Sequence, residues 1–321
     1  MTDGVAQAQG VVVRAGSGRY DVQIATGELV PCKLRGNLKK NLIYPESRSL
    51  HHRVEKAKKL RETDPLAVGD RVSVTVAENF AEGVIEEIQP RRAALTRKSG
   101  AERQRQTLVA NLELAVIVFS AAEPRPDLYK LDRFLVLAED AELSILVILN
   151  KSDLASAEEV LAVTDEYSAI GYDVLATSIK SEQGLDELRA RLSGRISALC
   201  GPSGVGKSSL LNAIQPGLSL KIGATGELTH AGRHTTVRAE LLSLTFGGWV
   251  ADTPGLRQVE FWDLDPDDVG FCFPEIAALL GHCRFADCRH RTEPGCGVSA
   301  AREAGTLTDR RYRSYLQMTG G

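Results

Sequence analysis

Residues Gly201-Pro202-Ser203-Gly204-Val205-Gly206-Lys207-Ser208 fit the spacing Gly-x-x-x-x-Gly-Lys-Ser, and Ser209 continues the run. Glycines let such a loop turn tightly and aim several backbone N–H groups at one anion, where the positive end of a following helix adds to the attraction. Lys207 would reach the terminal phosphates and the Ser208 hydroxyl would ligate magnesium. A second constellation, Cys283-x4-Cys288-x-His290-x5-Cys296, gathers three thiols and an imidazole within fourteen residues. That is the ligand set of a closed tetrahedral zinc site, one structural ion for a small domain with few other sources of core. His282 is adjacent, a bystander or a competing ligand, while Cys200 and Cys272 lack the spacing and read as buried small residues.

The elements around these residues suit them. Residues 196–200 are short and apolar, as a buried strand should be, and 209–214 carry helical apolar spacing, giving strand, loop, helix. Earlier, residues 114–119 and 143–149 are continuous apolar strands, with helical spacing at 129–141 and 157–169 and a further strand at 173–177. Strands alternating with helices predict a parallel sheet covered on both faces. Two more runs, 241–244 and 248–251, lead into Asp252-Thr253-Pro254-Gly255.

The N-terminal part has a different grammar. Short β-like runs at 10–13, 19–24, 30–34, 71–76 and 83–88 predict a small closed barrel, and five strands suit an OB-fold. Such a barrel binds oligonucleotides or serves as a protein-docking module. Between the third and fourth runs, ten cations from Lys33 to Arg61 face only Glu46 and Glu55. That insertion is either a phosphate-binding loop or a solvated charged one. Residues 93–107 have the polarity of a linker.

With 321 residues, 43% of them hydrophobic and 25% charged, the chain can bury the cores of two or three domains. There is no run apolar enough to span a bilayer and no leader, which predicts a cytoplasmic protein without a membrane partner. The net charge of −3 gives no general affinity for nucleic acid, so a polyanion partner must be held by local basic patches. Arg284, Arg289 and Arg291 among the zinc ligands, and Arg302, Arg310, Arg311 and Arg313 beyond them, are expected to present cations to RNA.

At the carboxyl end of the strand 143–149, Asn150-Lys151-Ser152-Asp153 resembles the guanine-recognition signature of the GTPase superfamily. The chemistry agrees: the Asp153 carboxylate can accept two hydrogen bonds from guanine N1–H and the 2-amino group, which adenine cannot offer. Asn150 would support the loop and the Lys151 stem would lie against the base. Ser178-Ile179-Lys180 resembles the weaker fifth GTPase motif, with Ile where Ala is usual. Asp252-x-x-Gly255 resembles the magnesium and γ-phosphate sensor, and Thr235 or Thr236 would meet magnesium in the triphosphate state.

In common GTPases the phosphate loop comes first. Here the base motif precedes it, so the chain reads as circularly permuted. With the barrel, Gly232-Arg233-His234-Thr235-Thr236 and the Cys/His cluster, it closely resembles the ribosome small-subunit-dependent GTPases, the RsgA or YjeQ family. The resemblance implies a multi-domain α/β protein: an OB-fold barrel with a basic insertion over 1–93, a linker at 94–110, a circularly permuted P-loop GTPase domain with a mainly parallel sheet at 111–262, and a small helical zinc-binding domain at 263–321. It implies hydrolysis of GTP to GDP by a monomer, stimulated by the small ribosomal subunit and its rRNA during late maturation. Leu256 stands where many GTPases place a water-orienting Gln, which leaves His234 as the nearest candidate to orient or deprotonate the attacking water. The segment after Gly255 leads straight into the last domain, so a switch change on hydrolysis would move it. Competing readings are a P-loop kinase or ATPase, and a non-catalytic zinc and OB nucleic-acid module.

Overall fold

The computed structural model describes residues 5–16, 18–36, 38, 66–77, 81–99, 104–218, 240–252 and 266–320. The chain divides into two compact units, one of Met1–Glu113, Leu192–Ala198 and Leu220–Pro254, the other of Leu114–Arg191, Leu199–Ser219 and Gly255–Gly321. The basic insertion from Lys39 to Arg61 lies outside the described residues.

In the first unit, β1 (Val5–Gly16), β2 (Arg19–Ile24), β3 (Leu29–Leu34), β4 (Arg71–Ala77) and β5 (Gly83–Ile88) follow the expected runs. They pair in the order β1-β2-β3-β5-β4 and close through β4 on β1, all antiparallel except β3 with β5. This is the closed five-stranded OB barrel. Period-two alternation turns Tyr20, Val22 and Ile24 of β2 inward against Val12, Val30, Val72, Val74, Val76 and Ile85. At twelve residues β1 is long enough to serve both neighbours, and a register shift between Val12 and Arg14 marks where it bends.

Where the sequence suggests a linker, the chain forms an antiparallel hairpin, β6 (Ala94–Ser99) with β7 (Gln104–Ala110). Its polarity hid it. The ladder satisfies the backbone, and Val109 and Ala110 at its inner end are buried. The unit also holds β12 (Glu240–Ser243) and β13 (Trp249–Asp252), which form an antiparallel hairpin, while Ile196–Ala198 of β11 (Ile196–Cys200) pair in parallel with β13.

The second unit contains a parallel ladder in the order β10-β9-β8, from β8 (Leu114–Ser120), β9 (Ser144–Asn150) and β10 (Asp173–Thr177). Every residue of β8 is buried, as a strand covered on both faces requires. Its helices are α1 (Leu128–Asp140), α2 (Ala157–Ile170), α3 (Leu185–Leu192) and α4 (Lys207–Ile214). A Ser156–Glu159 capping box starts α2, satisfying two amide donors that a helix leaves open.

Three short helices end the chain, α5 (Pro274–Ala277), α6 (Gly297–Glu303) and α7 (Asp309–Met318). Their core of Val269, Phe273, Ile276, Val298, Leu307, Tyr312 and Tyr315 takes in Val136 of α1. Beside it lies a buried charge cluster. Asp132 of α1 is fully buried and accepts from Arg310 and Arg311 of α7, each at 2.7 Å, and from the Tyr167 hydroxyl at 2.7 Å. Arg311 also grips Glu275, and Arg310 grips Glu166. Burial works against the Arg311 charge, but the bonds to Glu275 and Asp132 outweigh it and raise the group above its ordinary value. The sequence-based expectation that Arg310 and Arg311 face RNA is therefore corrected: carboxylates far away in sequence have drawn both inward. No described helix is long and apolar enough to cross a membrane.

Candidate nucleotide site and metal centre

β9 and β11 each end in a loop that the sequence singles out, and the second unit brings those two loops together. After Asn150, Lys151 takes a left-handed conformation, φ 59°, and opens a single 3-10 turn, Ser152–Leu154, that carries Asp153. A lysine pays strain for that geometry, a cost tolerated mainly at functional loops. Asn150 is buried. Its amide donates to the Val205 carbonyl of the phosphate loop at 2.9 Å and its carbonyl accepts from the Thr177 hydroxyl at 3.1 Å. The Lys151 ammonium donates to the Gly204 carbonyl at 2.8 Å and to the Glu123 carbonyl, which the Ser120 hydroxyl also supports. Four groups from three loops thus fix the base loop against the phosphate loop.

The phosphate loop needs its glycines. A Cβ on Gly201 would stand 2.1 Å from the Val118 carbonyl oxygen, and one on Gly206 would stand 2.5 Å from the Asn150 amide nitrogen. Both have positive φ, 132° and 96°, which glycine alone adopts cheaply. Gly206 precedes α4, whose first-turn amides have no helical partner and aim toward the loop. Ser203, Gly204, Ser208 and Ser209 are exposed there, Pro202 is partly so, and Val205 is buried beneath. Lys207 folds over the loop, donating to the Gly201 and Pro202 carbonyls at 2.6 Å each. Burial pushes the Cys200 thiol, just before the loop, up to about 12, so it stays an inert thiol.

Asp153 accepts from the Ser178 hydroxyl at 2.6 Å, and the Ser181 amide donates to the same Ser178 oxygen at 3.2 Å. This leaves the second Asp153 oxygen for a ligand. Ser152 points elsewhere, to the Gln183 side chain at 3.2 Å. Sequence reasoning missed Thr177, Ser120 and the Glu123 carbonyl. Thr177 was signalled only by ending the strand before Ser178, and a backbone carbonyl leaves no mark on residue type. Asp252 closes β13 in the first unit. His234, Thr235, Thr236 and Gly255 lie outside the described residues.

In the C-terminal part the ligand atoms of Cys283, Cys288, His290 and Cys296 all lie within 4.8 Å of one another. The two sulfurs of Cys283 and Cys296 are 4.0 Å apart, and His290 Nδ1 is 3.4 and 3.5 Å from them. Donors on one tetrahedral ion with metal–sulfur bonds of about 2.3 Å stand roughly 3.5–3.8 Å apart, so the cluster could hold one metal ion. The Gly297 and Ser299 amides aim at the Cys283 and Cys296 sulfurs at 3.3 and 3.4 Å, an arrangement that favours thiolates. Burial lowers the His290 pKa and keeps its imidazole neutral for ligation. The Glu293 carboxylate accepts from the Arg289, Arg291 and Thr292 amides at 2.7–3.0 Å, which pulls its pKa down to about 2 and ties the loop that carries His290. His282 is not among the four donors.

A family model described as RsgA GTPase matches residues 88–262. A protein of Gemmatimonas aurantiaca named small ribosomal subunit biogenesis GTPase RsgA is 44% identical over 311 residues, 96% of this chain and 95% of that one. The protein of the same name from Moorella thermoacetica is 42% identical over 308 residues, again 96% and 95% of the two chains. The crystal structure of YjeQ from Thermotoga maritima aligns with a TM-score of 0.75 at 34% identity, covering 98% of both chains. That of YloQ, described as a circularly permuted GTPase, aligns at 0.71 and 31%, covering 98% of this chain and 94% of the other.

Proposed function

Because the chain belongs to the RsgA GTPase family, we propose that it hydrolyses GTP during late maturation of the small ribosomal subunit, as a cytoplasmic monomer whose turnover that subunit stimulates. The observation that carries the nucleotide part is the stitching of two loops: Asn150 to Val205 and Lys151 to Gly204 hold base recognition and phosphate binding at one fixed spacing. Asp153, already oriented by Ser178, offers guanine two acceptor contacts and leaves an unpaired carboxylate beside adenine. That argues against the kinase or ATPase reading.

In this reading the backbone N–H groups between Gly201 and Ser209, Pro202 having none, bind the phosphates, and Lys207 leaves its carbonyl partners for the terminal phosphate oxygens. Magnesium, when bound, neutralises charge developing between the last two phosphates, with Ser208, Asp252 and either Thr235 or Thr236 as the residues to hold or orient it. Gly255 would offer its amide to the γ-phosphate and His234 would orient the attacking water. The Cys283, Cys288, His290 and Cys296 set suits one structural zinc ion, whose binding would supply folding energy to a small lobe, roughly 10–16 kcal/mol in comparable fingers. Barrel, GTPase domain and zinc lobe at 1–93, 111–262 and 263–321 remain the working division, with the β6–β7 hairpin standing where the sequence suggests a linker at 94–110 and with barrel and lobe as the rRNA contacts.

Turnover of GTP and of ATP, measured with and without purified small subunits across a salt series, tests the reading. Stimulated GTP hydrolysis that weakens with salt is expected, and equal use of ATP and GTP would overturn it. His234→Ala should lower stimulated turnover by about 10²-fold or more while nucleotide affinity holds; unchanged turnover would remove the role assigned to this histidine.

A further inference from the structure

Within the first unit the β12–β13 hairpin continues the barrel's own sheet. Its strand β12 pairs with β1 at Arg14 and Glu240, β13 pairs with β12 at Asp252 and Glu240, and β1 pairs with β2 at Arg14 and Asp21. One row across four strands therefore reads Asp252, Glu240, Arg14, Asp21, with Arg14 its single cationic residue. Arg14 Nε donates to Glu240 Oε1 at 2.7 Å, a second N–H of the same guanidinium meets the same oxygen, and Asp21 lies 3.8 Å away. At the hairpin's other end Gln23 of β2 bridges both strands, accepting from Trp249 Nε1 at 2.7 Å and donating to the Ser243 hydroxyl at 3.3 Å.

Arg14 is half exposed, and an ion pair so placed adds little to stability. Its position carries more weight than its energy. Glu240 is the first residue after the segment containing His234, Thr235 and Thr236, and Asp252, its cross-strand partner, opens the segment ending in Gly255. The one barrel cation in the row thus meets the carboxylate between the two stretches assigned to magnesium and γ-phosphate.

We propose that Arg14, seconded by Gln23, is a positioning residue that couples the barrel to the β12–β13 hairpin, so that contact of the barrel with the small ribosomal subunit is transmitted to Asp252. The inference rests on the functional reading above. Coupling of this kind needs one element on which both sites act, and the hairpin, tied to the barrel through Arg14–Glu240 at one end and Gln23 at the other, leads from the barrel to Asp252.

The test uses the full-length protein with purified small subunits. Arg14→Glu places four carboxylates in the row and should cut subunit-stimulated GTP turnover at least tenfold. Intrinsic turnover and GTP affinity should stay within about threefold, and co-sedimentation with subunits in the presence of a non-hydrolysable GTP analogue should persist. Glu240→Arg should behave likewise, the double exchange Arg14→Glu with Glu240→Arg should restore most of the stimulation, and Gln23→Ala should weaken it less. Rescue by the exchange also answers misfolding of either single variant. Full stimulation of Arg14→Glu, its loss of subunit binding, or a double exchange no better than the singles would overturn the inference while a stimulated wild type leaves the functional reading intact. A wild type that subunits do not stimulate would instead overturn the functional reading, and this inference with it.

Discussion

Lys151 and Asn150 show how one loop can serve two ligand groups. Both side chains bind carbonyls of the phosphate loop instead of reaching for solvent, so the base pocket and the phosphate cradle cannot drift apart. Asn150→Ala would leave the buried Thr177 hydroxyl without its acceptor and free the Val205 carbonyl, so isothermal titration should show GTP affinity falling at least tenfold. Asp153→Ala removes the discriminating acceptor, and GTP should lose its advantage over ATP by two orders of magnitude or more in competition binding. These expectations came from residue type and spacing. The acceptors were not legible there: Glu123, Gly204 and Val205 act through backbone carbonyls, and any side chain could have stood at Glu123 without changing that bond.

Among the elements, the strands of the parallel ladder announced themselves through continuous apolar runs, α1, α2 and α4 through helical spacing and β2 through alternation, while α3 was not anticipated. Nor were β6 and β7, because a polar hairpin anchored at one buried end has the composition of a loop. The α7 cluster was illegible for another reason. Its partners Asp132 and Arg311 are 179 positions apart, and nothing local distinguishes a guanidinium bound for the interior from one bound for solvent. Asp132→Ala should destabilise the second unit by about 3–5 kcal/mol in urea unfolding, since two arginines would be left buried with too few carboxylates. Tyr167→Phe removes one hydrogen bond to the Asp132 carboxylate and should cost about 1.5–3 kcal/mol. In the loop around His290, the Glu293 pKa is depressed from 4.5 to about 2, so its support is complete above the ordinary value and fades only as pH falls toward 2. Acid release of a metal held there should therefore begin while Glu293 is still ionised. Glu293→Gln should speed metal loss to a chelator already at neutral pH, read with a chromogenic zinc indicator.

On the scale of the whole molecule, permutation sets which parts can talk to each other. The chain reaches the base loop before the phosphate loop, passes through the hairpin that adjoins the barrel, and only then enters the metal-binding lobe. That lobe is fastened to α1 and α2 through Arg310 and Arg311, so a displacement of the kind expected after Gly255 must either carry those two helices along or expose five charges at once. The α2 helix follows directly on the turn that bears Asp153. Stripping the metal would loosen α7, strand Asp132 and Glu166, and let that turn wander. A zinc-starved preparation would then masquerade as a poor guanine binder, its titration curve reporting the metal content of the sample as faithfully as an elemental assay.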